Sequence, residues 1–465
     1  MSTLINNRVF KGLRMENWIE TELAAQDMGD IRLNKRMLSL TENLCKDPSL
    51  SIPCANVTWA ETLGAYRFFD NEKVTFDSIM SGHKAATLKR IQTEQVVLIP
   101  QDTTFLNFAT DDKSKGMGTL RTKNSNQQLL HASIAINPGR VNLGVVEGSM
   151  WQREESTTGH SRASKKIDEK ESHRWLLHYQ SACAIQEQSP GTTVVSIADR
   201  EGDIHEWFQY AEAVPPERRA SYIIRAKANR ALALEEDRIP LWDYMNSLKS
   251  LGKYSVNVPK RNGEPGRDAG VNVYAAEVQL AGKGKARKPL FLHVVYLKET
   301  TPPVGTKGIE WMLLTDLPVE DFVQARVIIE WYRCRWEIET YFRVVKGGCE
   351  IESSRLRTEP RMLNCIAVYM IISWRLHSIT MLARRTPDRP CTDAFSEREW
   401  KILWRMKTKS LPPKTPPGLR EATRMLAGLG GFLGRKGDGE PGVKTIWQGY
   451  DKLLHYIEAA EAFGA

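Results

Sequence analysis

Cysteine and histidine are scarce in this sequence. Its 465 residues include seven cysteines and nine histidines, and no two cysteines form a CxxC pair. The ligand spacings of a structural zinc site are therefore lacking, and the odd number of cysteines leaves one without a partner in any disulfide framework. We expect reduced, buried thiols in a cytosolic protein.

Long apolar runs are also lacking. We find no run near the roughly 18 residues that cross a bilayer. The N-terminal stretch MSTLINNRVFKGLRMENW does not contain the continuous apolar segment of a secretory signal. The sequence thus predicts a cytoplasmic protein with no membrane partner.

Positive charge, by contrast, is in excess. The chain has 65 Lys and Arg residues against 56 Asp and Glu residues, a net charge of +9. This balance fits a nucleic-acid partner, although many enzymes that never meet nucleic acid are basic too. The length allows about two to four domains.

Local patterns along the chain predict an α/β fold. Residues 1–75 have helical periodicity, and residues 76–385 alternate strands with helices. Within that region, about 235–305 is a run of strand patterns separated by basic, glycine-rich turns, which predicts an antiparallel β insertion. Residues 386–465 again have helical character.

Two of the predicted strands stop at an aspartate. Asp102 follows VVLIPQ and Asp199 follows VVSIA. If these strands are parallel neighbours, both carboxylates lie at the same edge of the sheet. A single Asp at a strand end is more often a turn or helix cap, so neither residue is informative alone.

A third acid lies in a later segment, Trp331 to Gly348, which has the pattern of one helix. At 3.6 residues per turn, this helix has three faces. One is an apolar stripe, the second is a solvated side with Arg333, Glu337 and Thr340, and the third is a strip of mixed character. That strip looks like the wall of a site for an anion, with Glu339 set among cations. Its members are Tyr332, Arg335, Trp336, Glu339, Arg343 and Lys346.

Three carboxylates without matching Cys or His ligands suit hard cations that prefer oxygen, Mg²⁺ or Mn²⁺. Two such ions can hold the attacking and leaving oxygens of a phosphodiester. The cationic residues around Glu339 would then hold DNA phosphates. The order strand, strand, helix with all three acids favours this interpretation over three unrelated caps.

With these residues in place, the sequence resembles the transposon-five transposases, bacterial DDE transposases of the insertion-sequence-four family. The signature of their third acid is met by Tyr332, Arg335, Glu339 and Lys346. The signature of the second acid runs from Asp199 to Asp203, with Gly202 where the family has alanine, and the first acid begins the run Asp102, Thr103, Thr104. Further similarity at GAYRFF, DEKES and LGGFL extends the resemblance nearly from end to end.

The resemblance implies a ribonuclease-H-like catalytic core of the retroviral-integrase type in residues 76–385. It implies a helical DNA-binding domain in residues 1–75 and a helical dimerisation domain in residues 386–465. The catalytic acids would be Asp102, Asp199 and Glu339, which would bind two Mg²⁺ or Mn²⁺ ions. The protein would act as a homodimer in a paired-end complex with transposon-end DNA and target DNA, in the bacterial cytoplasm and on the nucleoid when bound to DNA.

The resemblance also implies DNA contacts. Trp311 would stack on a base flipped from the transposon end, although a tryptophan in a strand is more often a core residue. The other implied contacts, each of which is as an isolated residue more often a plain surface cation, are Arg225, Arg343, Lys346, Arg355, Arg32, Lys35, Arg36 and Arg67.

Two alternatives to a transposase remain open at this point. A ribonuclease-H-fold nuclease or resolvase would cleave without end specificity and would not need the Trp311 pocket. A DNA-binding repressor derived from a transposase would have lost catalysis, and the intact acids argue against it.

Overall fold

The computed structural model describes most of the chain. The described residues are 18–46, 58–109, 125–151, 167–234, 237–258, 266–281, 290–347, 351–353 and 359–463. The helices are α1 (Trp18–Glu22), α2 (Ile31–Lys46), α3 (Trp59–Phe69), α4 (Phe76–Ile91), α5 (His173–Gln188), α6 (His205–Ala213), α7 (Leu241–Ser247), α8 (Phe322–Arg333), α9 (Trp336–Gly347), α10 (Glu359–Arg385), α11 (Glu397–Thr408), α12 (Leu419–Leu429) and α13 (Val443–Ala462). The strands are β1 (Val96–Ala109), β2 (Ser125–Ile136), β3 (Asn142–Trp151), β4 (Thr193–Ala198), β5 (Ser221–Arg225), β6 (Ala231–Leu234), β7 (Asp237–Pro240), β8 (Gly252–Val258), β9 (Arg267–Leu280), β10 (Leu290–Glu299) and β11 (Glu310–Thr315).

The chain forms two compact units. The first comprises described residues of Met1–Gln95, Thr103–Thr158 and Glu337–Ala465, and the second comprises those of Val96–Asp102 and Gly159–Trp336. The three-domain limits expected from the sequence stay a prediction.

The second unit contains a mixed sheet. The first part of β1 pairs in parallel with β4, and β4 pairs in parallel with β5. Next to β5, β11 runs antiparallel, followed by β10 and β9, with β8 along the other side of β9. The predicted α/β fold with an antiparallel insertion is confirmed, and the inserted strands extend the same sheet because β10 pairs directly with β11.

The first unit is built on helices around a hairpin. β2 and β3 pair antiparallel, as the Asn-Pro-Gly-Arg turn between them predicts. Helices α4 and α10 both pack against β3 and against each other. Helix starts are set locally, because Thr58 and Thr75 each accept a hydrogen bond from a backbone N–H of the first turn that follows.

One expectation about apolar segments is wrong. Helix α10 contains a segment, Pro360–Arg385, that is long and apolar enough to cross a membrane, with a mean hydropathy of 1.4. Its most apolar window is entirely buried inside the protein. The sequence shows no continuous apolar run here, because Ser, Arg and His interrupt the apolar residues of this segment. These polar residues are buried in the structure as well.

The expectation of reduced, buried thiols is confirmed for the cysteines that the structure describes. Cys45, Cys183, Cys334, Cys365 and Cys391 are buried thiols that form no disulfide. Cys54 and Cys349 lie outside the described residues.

Candidate active site

The first two acids are neighbours on the sheet of the second unit. The parallel register runs from Val96 opposite Thr193 to Pro100 opposite Ile197. Asp102 and Asp199 each lie two residues beyond the last pair of this register, Asp102 still on β1 and Asp199 directly after the end of β4. A hydrogen bond of 3.1 Å from Gln101 Nε2 to Ser196 Oγ holds the two strands together just before the acids.

β1 itself does not stop at the first acid, which corrects the expectation that this strand ends there and is interrupted at Pro100. The strand continues through Asp102 to Ala109. Within the first unit, Thr103 Oγ1 lies 2.8 Å from Nδ1 of the buried His131 on β2. The segment that follows the acid therefore stays extended because it lies alongside another strand.

Arg335 pairs with the first acid. Its Nη1 lies 2.8 Å from Asp102 Oδ2, and the Asp102 side chain is 20% exposed. This geometry depends on a break that the sequence analysis did not predict. The expected single helix from Trp331 to Gly348 is in fact two helices, α8 and α9.

The break is a tight turn. Cys334 N donates to Trp331 O, and Arg335 N donates to Tyr332 O, so both bonds span three residues instead of four. The predicted strip is therefore divided among α8, the turn and α9. The exposed ring of Trp336 lies beside the turn, with the Arg335 guanidinium carbon 5.7 Å from its centroid.

Three further predicted residues form a cluster in the second unit. Trp311 on β11 is half-buried, and its ring meets that of Tyr332 edge-on at 5.3 Å. Arg225 on β5 lies 6.0 Å from the Trp311 centroid and donates to Glu310 O at 3.0 Å. Burial lowers the pKa of Arg225 and raises the pKa of Tyr332, whose hydroxyl also senses Arg335 and Arg225. Trp311 therefore keeps part of its surface exposed.

The second acid is held by its own turn. Asp199 Oδ1 accepts a hydrogen bond of 2.7 Å from Glu201 N, which caps the short 3₁₀ turn Arg200–Gly202. Gly202 is packed so closely that an added Cβ would lie 2.5 Å from the Ala198 Cβ.

The last residue of this signature, Asp203, has structural partners that local pattern does not predict. The Asp203 side chain is fully buried, accepts hydrogen bonds from Lys227 N (2.6 Å) and Ala228 N (2.9 Å), and pairs with Arg230. It therefore fixes the loop that follows β5, the strand that bears Arg225.

The third acid belongs to the first unit. Glu339 is half-buried in the first turn of α9. Further along this helix, Arg343 is exposed and donates to Thr340 Oγ1 at 2.9 Å, while Lys346 is half-buried. Burial lowers the pKa of Lys346, and the charge of Glu352 opposes this change.

Glu337, which the sequence analysis placed on a solvated side, is buried instead. Its Oε1 lies 3.0 Å from Arg140 Nη1, and its side chain is only 7% exposed. The expectation is wrong because it assumed one continuous helix from Trp331 to Gly348. In addition, a partner 197 residues away compensates the charge of Glu337.

The N-terminal cations have different environments. Arg32 is exposed and pairs with Asp30 at 3.0 Å, while Lys35 on α2 and Arg67 on α3 are exposed. Arg36 is half-buried, and its guanidinium lies against Gly64 of α3. Arg355 lies outside the described residues.

The chemistry of the acids fits a hard divalent cation, because all three offer carboxylate oxygens and Asp102 already carries a cationic partner in Arg335. Among the described residues, no group of three or more His, Cys, Asp or Glu side chains is arranged to hold a metal ion.

Comparison with known families decides the identity. Three family models match in order along the chain: Transposase DNA-binding at residues 15–74, Transposase DDE domain at 184–373, and Transposase Tn5 dimerisation domain at 371–464. The chain belongs to the Tn5-like DDE transposases. It is therefore an enzyme of DNA cleavage and strand transfer, and the predicted family is confirmed.

A solved structure is also similar to this DDE transposase. It is the cryo-EM structure of the piggyBac transposase synaptic complex with hairpin DNA (SNHP), at 7% identity and a TM-score of 0.36. The similarity covers 81% of this chain and 75% of that chain.

The family matches settle the partners and the cofactor at a coarse level. The DNA-binding and dimerisation models make DNA a partner of this DDE transposase and self-association part of its function. DDE transposases generally use divalent metal ions, as the three carboxylates predict.

Proposed function

We propose that this transposase excises a mobile element and inserts it into target DNA with Asp102, Asp199 and Glu339 as its catalytic acids. The observation that carries this proposal is the register of β1 and β4. Two signature aspartates each lie two residues beyond the end of this register, and the signature arginine Arg335 lies 2.8 Å from the first of them. A pair of capping residues has no need of that arrangement.

The three carboxylates would bind two Mg²⁺ or Mn²⁺ ions, which supply charge stabilisation for the attacking and leaving oxygens of the phosphodiester. Asp102 enters this role on strand β1, and Asp199 enters it at the cap of the turn that follows β4. Asp199 keeps one oxygen on Glu201 N and leaves the other for a ligand.

The cationic residues would orient the strand that is cut. Arg335 lies in the turn beside Asp102 and can donate to a phosphate while it remains near the acid. Arg343 and Lys346 on α9, and Arg355, would bind further phosphates of the transposon end. Arg225 would do the same, because burial of its guanidinium strengthens a charge-assisted hydrogen bond.

Trp311 would receive a base flipped out of the transposon end. Its ring is half-buried and lies between Tyr332 and Arg225, so one aromatic surface is available within a cationic surround. Water attack would nick each end, and the freed 3′-hydroxyl would then attack the opposite strand to form a hairpin. Hairpin opening and strand transfer would follow at the same acids.

The N-terminal cations would read the transposon ends. Arg32, Lys35 and Arg67 are exposed on neighbouring helices, and Arg36 would act from its position against α3. The working form would be a homodimer on two paired ends, in which each subunit cuts the end bound mainly by its partner. The location would be the bacterial cytoplasm, with the protein on the nucleoid when it is bound to DNA.

The experiment that tests this proposal replaces each acid singly by alanine. Nicking and strand transfer should be abolished, whereas binding of end DNA should persist because the cations supply the affinity. A variant that keeps more than a few per cent of normal cleavage would remove that residue from the site. Full cleavage in excess EDTA would contradict the metal mechanism.

A further inference from the structure

We propose that Arg140 and Glu337 are positioning residues for Glu339: their ion pair fixes helix α9 so that the third acid is held at the right angle and depth. This inference rests on the catalytic role proposed for Glu339. By this inference the turn between β2 and β3, which contains Arg140 and is far from Glu339 in sequence, helps to position a catalytic residue.

The burial of Glu337 makes it an anchor. Glu337 and Glu339 lie two residues apart in the first turn of α9, which separates them by about 200° around the helix. Glu337 faces the interior and is paired with Arg140 at 3.0 Å. The Glu339 side chain therefore leaves α9 on nearly the opposite side of the helix. A buried carboxylate that lost its partner would favour rotation of the helix towards water.

Arg140 has a backbone conformation that supports this role. Its φ of 66° lies in the left-handed region, which is unfavourable for a residue with a side chain and suits glycine better. Asn137 closes the turn, because Arg140 N donates to Asn137 O at 2.8 Å and Val141 N donates to Asn137 Oδ1 at 3.0 Å. An arginine in that position is explained by what its side chain does.

The neighbouring histidine does not supply the charge. His377 Nε2 lies 3.9 Å from Glu337 Oε2, and its Nδ1 lies 3.0 Å from Asn142 Nδ2. Burial lowers the pKa of His377 to about 3, assisted by the charges of Arg384 and Arg343. The imidazole is therefore neutral. Arg140 is the cation in direct contact with Glu337, at 3.0 Å, and Arg384 adds a longer-range attraction.

The same helix is fixed further along its length. Tyr341 on α9 donates from its hydroxyl to Met370 O of α10 at 2.8 Å. This bond fixes the middle of α9, and the Arg140–Glu337 pair fixes its beginning, where Glu339 lies. Loss of the ion pair should therefore affect the first turn more than the rest of the helix.

The decisive variant is Glu337→Gln, with Glu147→Gln as its matched control. Glu147 lies on β3 of the same hairpin and also pairs with a cation, Lys84 Nζ, at 3.0 Å. For each protein, three quantities are measured: the Mg²⁺ concentration for half-maximal nicking, the Mn²⁺ affinity by electron paramagnetic resonance, and the melting temperature.

Glu337→Gln should weaken Mn²⁺ binding and raise the Mg²⁺ requirement by about tenfold, the effect of losing a residue that orients a metal ligand. Affinity for end DNA should not change. Glu147→Gln should leave the metal requirement at the wild-type value. Arg140→Lys should restore most of what Arg140→Ala loses, because the lysine keeps the charge.

If Glu337→Gln does not fold, the double variant Arg140→Met, Glu337→Met replaces the pair by apolar side chains and should fold. It should show the same weakened metal binding. A folded variant with a wild-type metal requirement would overturn the inference, as would equal changes in Glu147→Gln. Glu339→Ala separates the two levels: if it still cleaves DNA, the proposed function fails, and if it is inactive while Glu337→Gln binds metal normally, only this inference fails.

Discussion

Two arginine–carboxylate pairs, one in each unit, have nearly the same geometry and opposite tasks. Arg335 meets Asp102 at 2.8 Å, and Arg140 meets Glu337 at 3.0 Å. Both carboxylates are largely removed from water, at 20% and 7% exposure. In the proposed mechanism the first pair must share its carboxylate with metal and its arginine with DNA, whereas the second pair must stay closed.

The difference shows that a salt-bridge distance says little about function. Arg335 lies in a hydrogen-bonded turn between two helices. Arg140 lies in a left-handed backbone conformation within a closed hairpin. In the proposed mechanism the two pairs differ in their carboxylate, because Asp102 is a catalytic acid and Glu337 is not.

The largest effect should come from Arg335→Ala compared with Arg140→Ala. Loss of Arg335 should slow nicking about 100- to 1000-fold at saturating metal, because a preorganised donor to the reacting strand is gone. At saturating Mn²⁺, Arg140→Ala should recover to within about tenfold of wild type, because excess metal offsets weakened binding. Single-turnover nicking of a preformed DNA complex measures both. If Arg140→Ala remains as slow as Arg335→Ala, the two pairs do not differ as described.

A third carboxylate sharpens the comparison because its arginine lies farther away. Asp316 accepts from Tyr222 N at 2.9 Å, and Arg219 Nε is 3.9 Å away. Burial raises the pKa of Asp316 from 3.8 to about 6, against the smaller effects of that hydrogen bond and of Arg219. The protonated form is therefore the one that the fold favours.

The stability contributed by Asp316 should be complete below about pH 4, where the unfolded chain is protonated too, and should be lost as the pH rises through about 6. Asp316→Asn keeps an acceptor for Tyr222 N and should stabilise the protein at pH 8 by up to about 3 kcal/mol. Urea unfolding at pH 4, 6 and 8 measures this difference. Glu212→Gln, an exposed carboxylate near the same Arg219, should have no such pH dependence. A constant gain from Asp316→Asn at every pH would exclude titration as the cause.

Trp311 extends the comparison to Arg225, whose guanidinium has an aromatic ring as its neighbour in place of a carboxylate. Trp311→Ala should slow hairpin formation about ten- to a hundredfold, by the energy of stacking one base. The first nick should survive, because it needs no extruded base, so nicked ends should accumulate in a time course. Trp207→Ala, which removes a fully buried ring, should instead lower stability by about 3–5 kcal/mol. If Trp311→Ala melts as early and loses both steps equally, Trp311 is a core residue.

The smallest effect should come from the turn that holds Asp199. Gly202→Ala, the family's own residue, should cost about 1 kcal/mol because its Cβ would lie 2.5 Å from the Ala198 Cβ. Adding Ala198→Gly should restore the melting temperature. Gly191→Ala, where nothing lies within 4 Å of the new Cβ, should have little effect. An unchanged melting temperature for Gly202→Ala would show that the strand end has room to adjust.

Much of the fold could be read from local pattern. The Asn-Pro-Gly-Arg turn predicted the hairpin, and the apolar runs before Asp102 and Asp199 predicted two strands, because each pattern is decided by residues adjacent in the chain. That these two strands are parallel neighbours is shown by the structure. The break at Cys334 and Arg335 could not be predicted, because the helical periodicity of this segment continues across it. The membrane-length segment in α10 could not be predicted either. Its polar residues interrupt the apolar pattern, and their burial depends on partners elsewhere in the chain.

The sequence alone determined the family and predicted the three acids and the types of residue around them, because spaced signatures record chemistry that a side chain carries wherever it lies. Tertiary structure alone decided that Glu337 is buried, that Arg140 reaches it, and that Arg335 turns towards Asp102. The physical reason is range. Periodicity reports on neighbours one or two turns away, whereas the partner of a buried charge can be 197 residues distant, as Arg140 is from Glu337.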